Sequence, residues 1–198
     1  MTTLVLASSS PSRQRMLKAA GVAFSISPAD LDEEGLTAEL LDKDTDAESI
    51  AITLAEQKAL TVSRRMPGAL VLGADSVLAL GSEMISKCHD LGELRTLLRN
   101  MSGKTHFLIS AAALARDGAV VWQHAGIARL AMRLFSDAFL ESYLASEGEK
   151  VMDAVGGYHY EGMGAQLFEQ VKGDAFTIQG LPLLAVLAAL RDQGILAA

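Results

Sequence analysis

One carboxylate stands inside the most apolar part of the sequence. Asp75 follows the apolar run 69–74 and precedes further apolar residues at 77–80, which predicts that it lies at the end of a buried strand. Taking an ionised carboxylate out of water is costly unless cations or hydrogen-bond donors meet it. The pattern therefore predicts either a functional carboxylate with partners elsewhere in the chain or an aspartate that caps a turn between two strands.

The start of the chain offers cations and an anion-binding loop. A strand at 3–7 leads into a serine-rich loop, and Ser10 caps a helix that ends at Gly21. Such a loop directs backbone N–H groups and the positive end of the helix dipole toward an anion. Arg13 and Arg15 oppose the dipole in the first turn, which favours an anionic ligand there. An ordinary surface helix with extended arginines fits equally well.

A further cation, Lys58, interrupts the apolar face of a long helix. A capping box of Thr45 and Glu48 starts this helix, which ends near Met66. A lysine on the inward face either extends its charge to an edge of the fold or meets an anion, such as a phosphate or Asp75.

Other segments have more than one interpretation. The acidic segment 30–35 follows neither the helix nor the strand period and predicts a loop, which is either solvated or able to hold Mg²⁺. The segment 156–164 is rich in glycine and tyrosine, which suits a loop against a flat ligand, although tyrosines more often fill a core. A P-loop at 102–105 and a dinucleotide fingerprint at 162–167 are excluded, because each lacks a required glycine.

The rest of the chain predicts a hairpin, two capped helices, a strand and an apolar helix. The hairpin joins strands 105–115 and 119–129, helices follow Asp90 and Ser136, a strand covers 165–171 and the apolar helix covers 182–190. Because this last helix is hydrophobic nearly all round, it is either buried or part of a subunit contact, which leaves a homodimer open.

Composition limits the class of protein. The chain has 198 residues, of which 50% are hydrophobic, enough for one domain or for two lobes that share a sheet. A net charge of -7 without basic blocks argues against a nucleic-acid polymer as partner. The single cysteine, Cys88, forms no internal disulfide. No segment has the pattern of a signal peptide or a membrane span, so the sequence predicts a cytoplasmic protein without membrane contact.

Six different short motifs are spread along nearly the whole chain. They are 6–13, 55–59, 73–77, Lys87, 102–106 and 180–183. In this order they resemble the Maf family of nucleoside triphosphate pyrophosphatases, and together they are far more specific than any one of them. The resemblance implies an α/β fold like that of the inosine triphosphatases. In it an elongated mixed β-sheet with flanking helices lies between two lobes, and residues 1–198 form one domain around a nucleotide cleft.

The resemblance also implies a reaction and the residues that perform it. A nucleoside triphosphate would be hydrolysed to the monophosphate and pyrophosphate with a divalent cation, Mg²⁺ or Mn²⁺, to remove noncanonical or excess nucleotides. Asp75 would be the general base, and Glu33, with Asp75, would hold the metal. The residues implied to bind the triphosphate are Ser8, Ser10, Arg13, Lys58 and Lys87.

Base preference is implied for Ser12, Ser76 and Glu161. Members of the dTTP/UTP type carry Arg at the first of these positions and Gln at the last, whereas members acting on 7-methyl-GTP carry Glu-Gly-x-Gly followed by Leu-Phe. Residues 161–164 and 167–168 fit the second pattern, although Ser12 fits neither. A carboxylate accepts the paired N–H donors of guanine and favours a cationic methylated ring. The resemblance thus implies a guanine-type substrate, methylated or not.

Two other functions can be compared with this one. A non-catalytic nucleotide-binding regulator of cell division or septum formation would keep the cleft but would not need Asp75 together with the surrounding cations. A phosphatase that uses the serine-rich loop as nucleophile would need an adjacent histidine, and the sequence shows none there.

Overall fold

The computed structural model describes residues 3–197, and one mixed β-sheet runs through them. Its strands are β1 (Leu4–Leu6), β2 (Ser25–Ile26), β3 (Leu70–Leu80), β4 (Glu83–Ile85), β5 (Thr105–Arg116), β6 (Ala119–Met132) and β7 (Phe168–Lys172). The strand order is β2-β1-β3-β5-β6-β7, and β4 also pairs with β3. β1 runs parallel to both its neighbours, whereas the pairs from β3 to β7 are antiparallel. The predicted mixed α/β architecture is confirmed.

Helices flank the sheet and begin mostly at side-chain caps. They are α1 (Pro11–Ala19), α2 (Glu33–Asp42), α3 (Ala47–Ser63), α4 (Leu91–Met101), α5 (Asp137–Glu147), α6 (Ala175–Ile178) and α7 (Leu183–Asp192). Short 3₁₀ helices cover Gly148–Val151 and Met163–Leu167. The predicted caps Ser10, Asp90 and Ser136 are confirmed, because each side chain accepts a hydrogen bond from a backbone N–H of the first turn. No helix among residues 3–197 is long and apolar enough to cross a membrane.

Two predictions about local structure are wrong, the cap of one helix and the extent of one loop, and the cause in both is an aspartate cap. The cap of α3 is Asp46 rather than Thr45, since the Asp46 carboxylate accepts from both the N–H and the hydroxyl of Ser49, at 3.0 and 2.7 Å. The acidic segment is a loop only as far as Asp32, whose side chain accepts from the Gly35 N–H at 2.9 Å. Glu33 is therefore the first residue of α2 and not part of a loop.

The ends of other elements also differ from the prediction. α3 ends at Ser63 and not near Met66. The strand expected over 165–171 begins only at Phe168, because the residues before it form a 3₁₀ helix. The hairpin turn lies at Asp117 and Gly118, as predicted, and both residues have positive φ, at 50° and 77°.

The core has three parts, and β3 contributes side chains to each of them. Side chains of Val71 and Val77 face α3, whereas Leu70 and Leu72 face α1 and α7 on the other side of the sheet. Leu78 belongs to a third cluster with α4 and α5. Between these clusters, the stretch of β3 that carries Asp75 and Ser76 is left for polar contacts.

Candidate active site

Asp75 lies in the middle of β3. The sequence pattern predicted that it lies at the end of a strand, and that prediction is wrong. β5 pairs continuously with β3 from Leu70 to Ala79, and Asp75 is opposite Ala111. On its other edge β3 pairs with β1 only over residues 70–72 and with β4 only over residues 78–80. Among the described residues, no strand covers residues 73–77 on that edge. The change from apolar to small and polar residues marks this open edge, and the alternative of a turn between two strands is wrong.

Gly73 lets α3 approach this part of β3 closely. A Cβ atom at position 73 would collide with the Ala55 carbonyl oxygen and would lie 2.6 Å from the Ala59 nitrogen. The absence of a side chain therefore determines how near Lys58, on the same turn of α3, comes to Asp75.

Lys58 joins two carboxylates. Its Nζ donates a hydrogen bond to Asp75 Oδ1 at 2.6 Å and lies 2.9 Å from Glu33 Oε2. Lys58 and Asp75 are each 7% exposed, whereas the Glu33 side chain is 45% exposed. Of the two interpretations of Lys58, the meeting with an anion is the one observed. Asp75 Oδ2 accepts no hydrogen bond from residues 3–197 and can receive one from a water molecule.

Arg13 crosses the open edge and is fixed by three hydrogen bonds. It donates from Nε to the Gly180 carbonyl at 2.8 Å, from Nη1 to Ser8 Oγ at 3.1 Å and from Nη2 to Ser76 Oγ at 3.1 Å. Burial lowers the pKa of Arg13, and the negative charges of Asp75 and Glu33 oppose this shift. Because a guanidinium has five N–H donors, two remain for an anion.

The serine-rich loop holds the start of α1. Ser10 caps the helix and its backbone N–H donates to Ser8 Oγ at 3.2 Å, the same oxygen that accepts from Arg13. Ser8, Ser10 and Arg13, which the sequence analysis grouped, therefore lie together.

Ser76, the residue after Asp75 in β3, continues the hydrogen-bond network of Arg13. Its hydroxyl is 2.9 Å from that of Ser110, which in turn donates to the Thr177 carbonyl at 2.8 Å. Ser110 was not identified from the sequence, because a buried serine within the alternation of β5 gives no signal of its partners.

Lys87 is exposed and forms no ion pair with another described residue. It follows β4, in which Ile85 pairs with Leu78. Continuing that register by two residues would place Lys87 opposite Ser76. The pairing ends at Ile85, however, and the structure does not join Lys87 to the other cations.

Arg15 connects Ser12 to Glu161, two residues that are far apart in the sequence. Arg15 forms an ion pair with Glu161 and donates to Ser12 Oγ at 3.0 Å. The side chains of Arg15 and Glu161 are 56% and 32% exposed. Sequence spacing gave no sign of this pair, since Arg15 was noted only for its place in the first turn of α1.

A buried neutral pair holds the glycine-rich segment that carries Glu161. His106 Nε2 and the Tyr158 hydroxyl lie 2.8 Å apart, and the ring of Phe168 packs edge-on against Tyr158 at 4.9 Å between centroids. Burial lowers the pKa of His106 to about 4 and raises that of Tyr158, so both are neutral near pH 7. Tyr158 is therefore a core residue, whereas the sequence left open whether it contacts a ligand. His106 belongs to the motif 102–106 of the family resemblance, but its pairing with Tyr158 was not predicted.

Asp75 and Glu33 are the two carboxylates of this site that could bind a divalent cation. No group of three or more His, Cys, Asp or Glu side chains within residues 3–197 could hold a metal by itself. Glu33 and Asp75, however, already converge on one cation, the Lys58 ammonium. Mg²⁺ commonly takes one or two carboxylates and completes its shell with water and substrate phosphates. The two residues therefore fit such an ion.

The chain is similar in sequence to proteins of one family. The family model described as Maf-like protein matches residues 3–193. The 7-methyl-GTP pyrophosphatases of Mesorhizobium japonicum and Brucella suis are 50% and 48% identical to it, with 96% of both chains covered in each comparison. A nucleoside triphosphate pyrophosphatase of Rhodopseudomonas palustris is 46% identical, over 98% of this chain and 95% of the relative.

Proposed function

Since this chain belongs to the Maf family, we propose that it hydrolyses a nucleoside triphosphate to the monophosphate and pyrophosphate. The names of its relatives support this reaction. The observation that carries the proposal is the position of Asp75, a buried carboxylate that meets Lys58 on the uncovered edge of β3. Such a reaction would remove unwanted nucleotides from the cellular pool.

The triphosphate would bind along the open edge of β3, at residues 73–77. Transfer of a phosphoryl group depends on positioning and on neutralising the charge of the phosphate oxygens. Arg13 is fixed by Ser8 and Ser76 and has two N–H donors left for this task. The N–H groups at the start of α1 and the exposed Lys87 would supply further donors.

Asp75 would act as the general base. Without a ligand Lys58 holds Oδ1, and Oδ2 would accept the proton of a water molecule in the reaction. The water oxygen forms a bond to the α-phosphorus while the bond from that phosphorus to the bridging oxygen breaks. Pyrophosphate then leaves with the electron pair of that bond.

Glu33 and Asp75 would hold a divalent cation, Mg²⁺ or Mn²⁺. When bound, such an ion would withdraw charge from the phosphate oxygens and stabilise the leaving pyrophosphate. The exposure of Glu33 at the first position of α2 leaves its carboxylate accessible to an ion that enters with the nucleotide.

Glu161 would read the base, and we infer a guanine-type substrate, methylated or not. Its carboxylate pairs with Arg15, which also donates to Ser12 near the start of α1, and the loop before this helix would bind the phosphates. The relatives named 7-methyl-GTP pyrophosphatase support this choice. A regulator of cell division that acts by contact is not favoured, because it would have no use for a buried carboxylate paired with lysine.

Product analysis tests the reaction. Purified protein is incubated with Mg²⁺ or Mn²⁺ and with 7-methyl-GTP, GTP, ITP, UTP, dTTP or CTP, and Asp75→Asn serves as the matched variant of equal size. We expect a monophosphate and pyrophosphate from the wild-type protein, with the guanine-type nucleotides preferred, and at most a trace of either product from the variant. Binding of nucleotide without turnover by the wild-type protein would contradict the proposal and favour the regulator.

A further inference from the structure

The carboxylates proposed to hold the metal already share a cation of the protein. Lys58 Nζ lies 2.6 Å from Asp75 and 2.9 Å from Glu33, and the lysine is 7% exposed. A divalent ion that used both carboxylates would need the space in which the ammonium lies. Two positive charges at such short separation in a partly buried site repel each other strongly.

The charges of the free site are balanced without a metal. Arg13 and Lys58 contribute two positive charges, and Glu33 and Asp75 two negative ones. A divalent cation alone would give this site excess positive charge. A triphosphate alone would give it excess negative charge, so electrostatics favour the two ligands together.

Lys58 is able to change partners, because its ammonium is carried on a flexible four-carbon side chain. Asp75 and Glu33 are its only ion-pair partners among residues 3–197. Phosphate oxygens bound at Arg13 would offer it a new anionic partner on the same edge of β3.

From these contacts we propose that the Lys58 ammonium substitutes for the divalent cation between Glu33 and Asp75 until a nucleotide draws it to the phosphates. Metal and nucleotide then bind cooperatively, and each raises the affinity for the other. The inference rests on the proposed function and adds the order in which the site is filled.

Binding of Mn²⁺ to the nucleotide-free protein tests this inference by calorimetry. We expect Lys58→Met to bind Mn²⁺ about tenfold more tightly than the wild-type protein, since a competing positive charge has been removed from both carboxylates. Adding Glu33→Gln to Lys58→Met should abolish that gain. Lys43→Met, which removes a lysine from the exposed ion pair with Glu39, serves as the control and should bind like the wild type. Equal or weaker binding by Lys58→Met would overturn the inference.

Thermal unfolding provides a second measurement if Lys58→Met is too unstable to titrate. The variant leaves two carboxylates without their lysine, so Mn²⁺ should raise its melting temperature more than that of the wild-type protein. An equal or smaller rise would also overturn the inference. Wild-type turnover is measured separately. A gain in Mn²⁺ affinity without any turnover of nucleotides would refute the proposed function and leave the role of Lys58 intact.

Discussion

The two parts of the proposed nucleotide site are held by different interactions. The charged centre, defined as Arg13, Glu33, Lys58 and Asp75, consists of opposite charges on α1, α2, α3 and β3. The glycine-rich loop, defined as residues 156–164, is held by the neutral pair His106 and Tyr158 and by aromatic packing. The charged centre has features that any triphosphate needs, whereas the loop carries Glu161, which we propose reads the base.

Exposure separates the two parts as well. The Asp75 side chain is 11% exposed, but the Glu161 side chain is 32% exposed and pairs with an arginine whose side chain is more exposed still. Charges interact more strongly in a buried site than at the surface, where water and salt screen them. Substitutions in the charged centre should therefore change the reaction itself, and substitutions near Glu161 should change the choice of substrate.

The largest effect is expected for Asp75→Asn. The amide cannot accept the proton of the attacking water, so kcat should fall by about 10² to 10⁴-fold, the usual contribution of a general base. The side chain keeps its size and Lys58 keeps Glu33 as a partner, so the variant should fold, with a melting temperature lowered by the loss of the buried ion pair. Steady-state rates with Mg²⁺ and circular dichroism on the same sample check both statements. A variant that retains most of its rate, or that fails to fold, would contradict the role of Asp75.

The buried pair of His106 and Tyr158, which holds the glycine-rich loop, should make the free energy of unfolding depend on pH. The pKa of His106 is about 4 in the folded protein and 6.5 in the unfolded chain, so between these values the unfolded chain binds more protons. The contribution of His106 is therefore fully present above pH 6.5 and is lost as the pH falls toward 4. From pH 5 to pH 7 it should raise the free energy of unfolding by about 2 kcal/mol.

Urea unfolding at both pH values measures this difference. His106→Gln removes the imidazole that titrates, so the variant should lack this part of the pH dependence. The same pH dependence in the variant and the wild type would show that His106 does not titrate as described.

A smaller and more selective effect is expected for Glu161→Gln. An amide offers one acceptor and one pair of donors in place of two acceptors, and it carries no negative charge for a methylated ring. The kcat/KM ratio of 7-methyl-GTP to UTP should fall about tenfold with little change in kcat for the better substrate. If kcat fell equally for all nucleotides, Glu161 would belong with the charged centre and the comparison would fail.

The smallest effect is expected for Arg15→Gln. Its ion pair with Glu161 is exposed, so its loss should change the free energy of unfolding by less than about 1 kcal/mol. Removing a positive charge beside Glu161 should raise the preference for 7-methyl-GTP over GTP a few fold, since only the methylated base is cationic. Arg95→Gln, which breaks an exposed pair with Glu141, is the matched control and should leave the preference unchanged. A fall in that preference for Arg15→Gln would mean that Arg15 supports the base instead of competing with it.

The charged centre could be predicted from the sequence because its signal is local. A carboxylate inside an apolar run and a lysine on an apolar helix face both indicate buried charges that need partners. The structure joins Asp75 to Lys58 as that reasoning requires. The continuation of β3 through Asp75 was not predicted, because pairing with β5 is a contact across the sheet that the local pattern does not contain.

The surroundings of Glu161 could not be predicted in the same way. Arg15 and Glu161 lie far apart in the sequence, and the loop that carries Glu161 is packed through Tyr158 against His106 and Phe168 from other strands. Glu33 is an intermediate case, since its chemistry was recognised but its place in a helix depends on the cap that Asp32 provides.

The central claim is that water attacks the α-phosphorus at the charged centre. Hydrolysis of 7-methyl-GTP in water enriched in ¹⁸O, followed by mass spectrometry of the products, tests it most directly. We expect one ¹⁸O atom in the monophosphate and none in the pyrophosphate. Label in pyrophosphate, or release of inorganic phosphate in its place, would show that water attacks another phosphorus and would refute the proposed reaction.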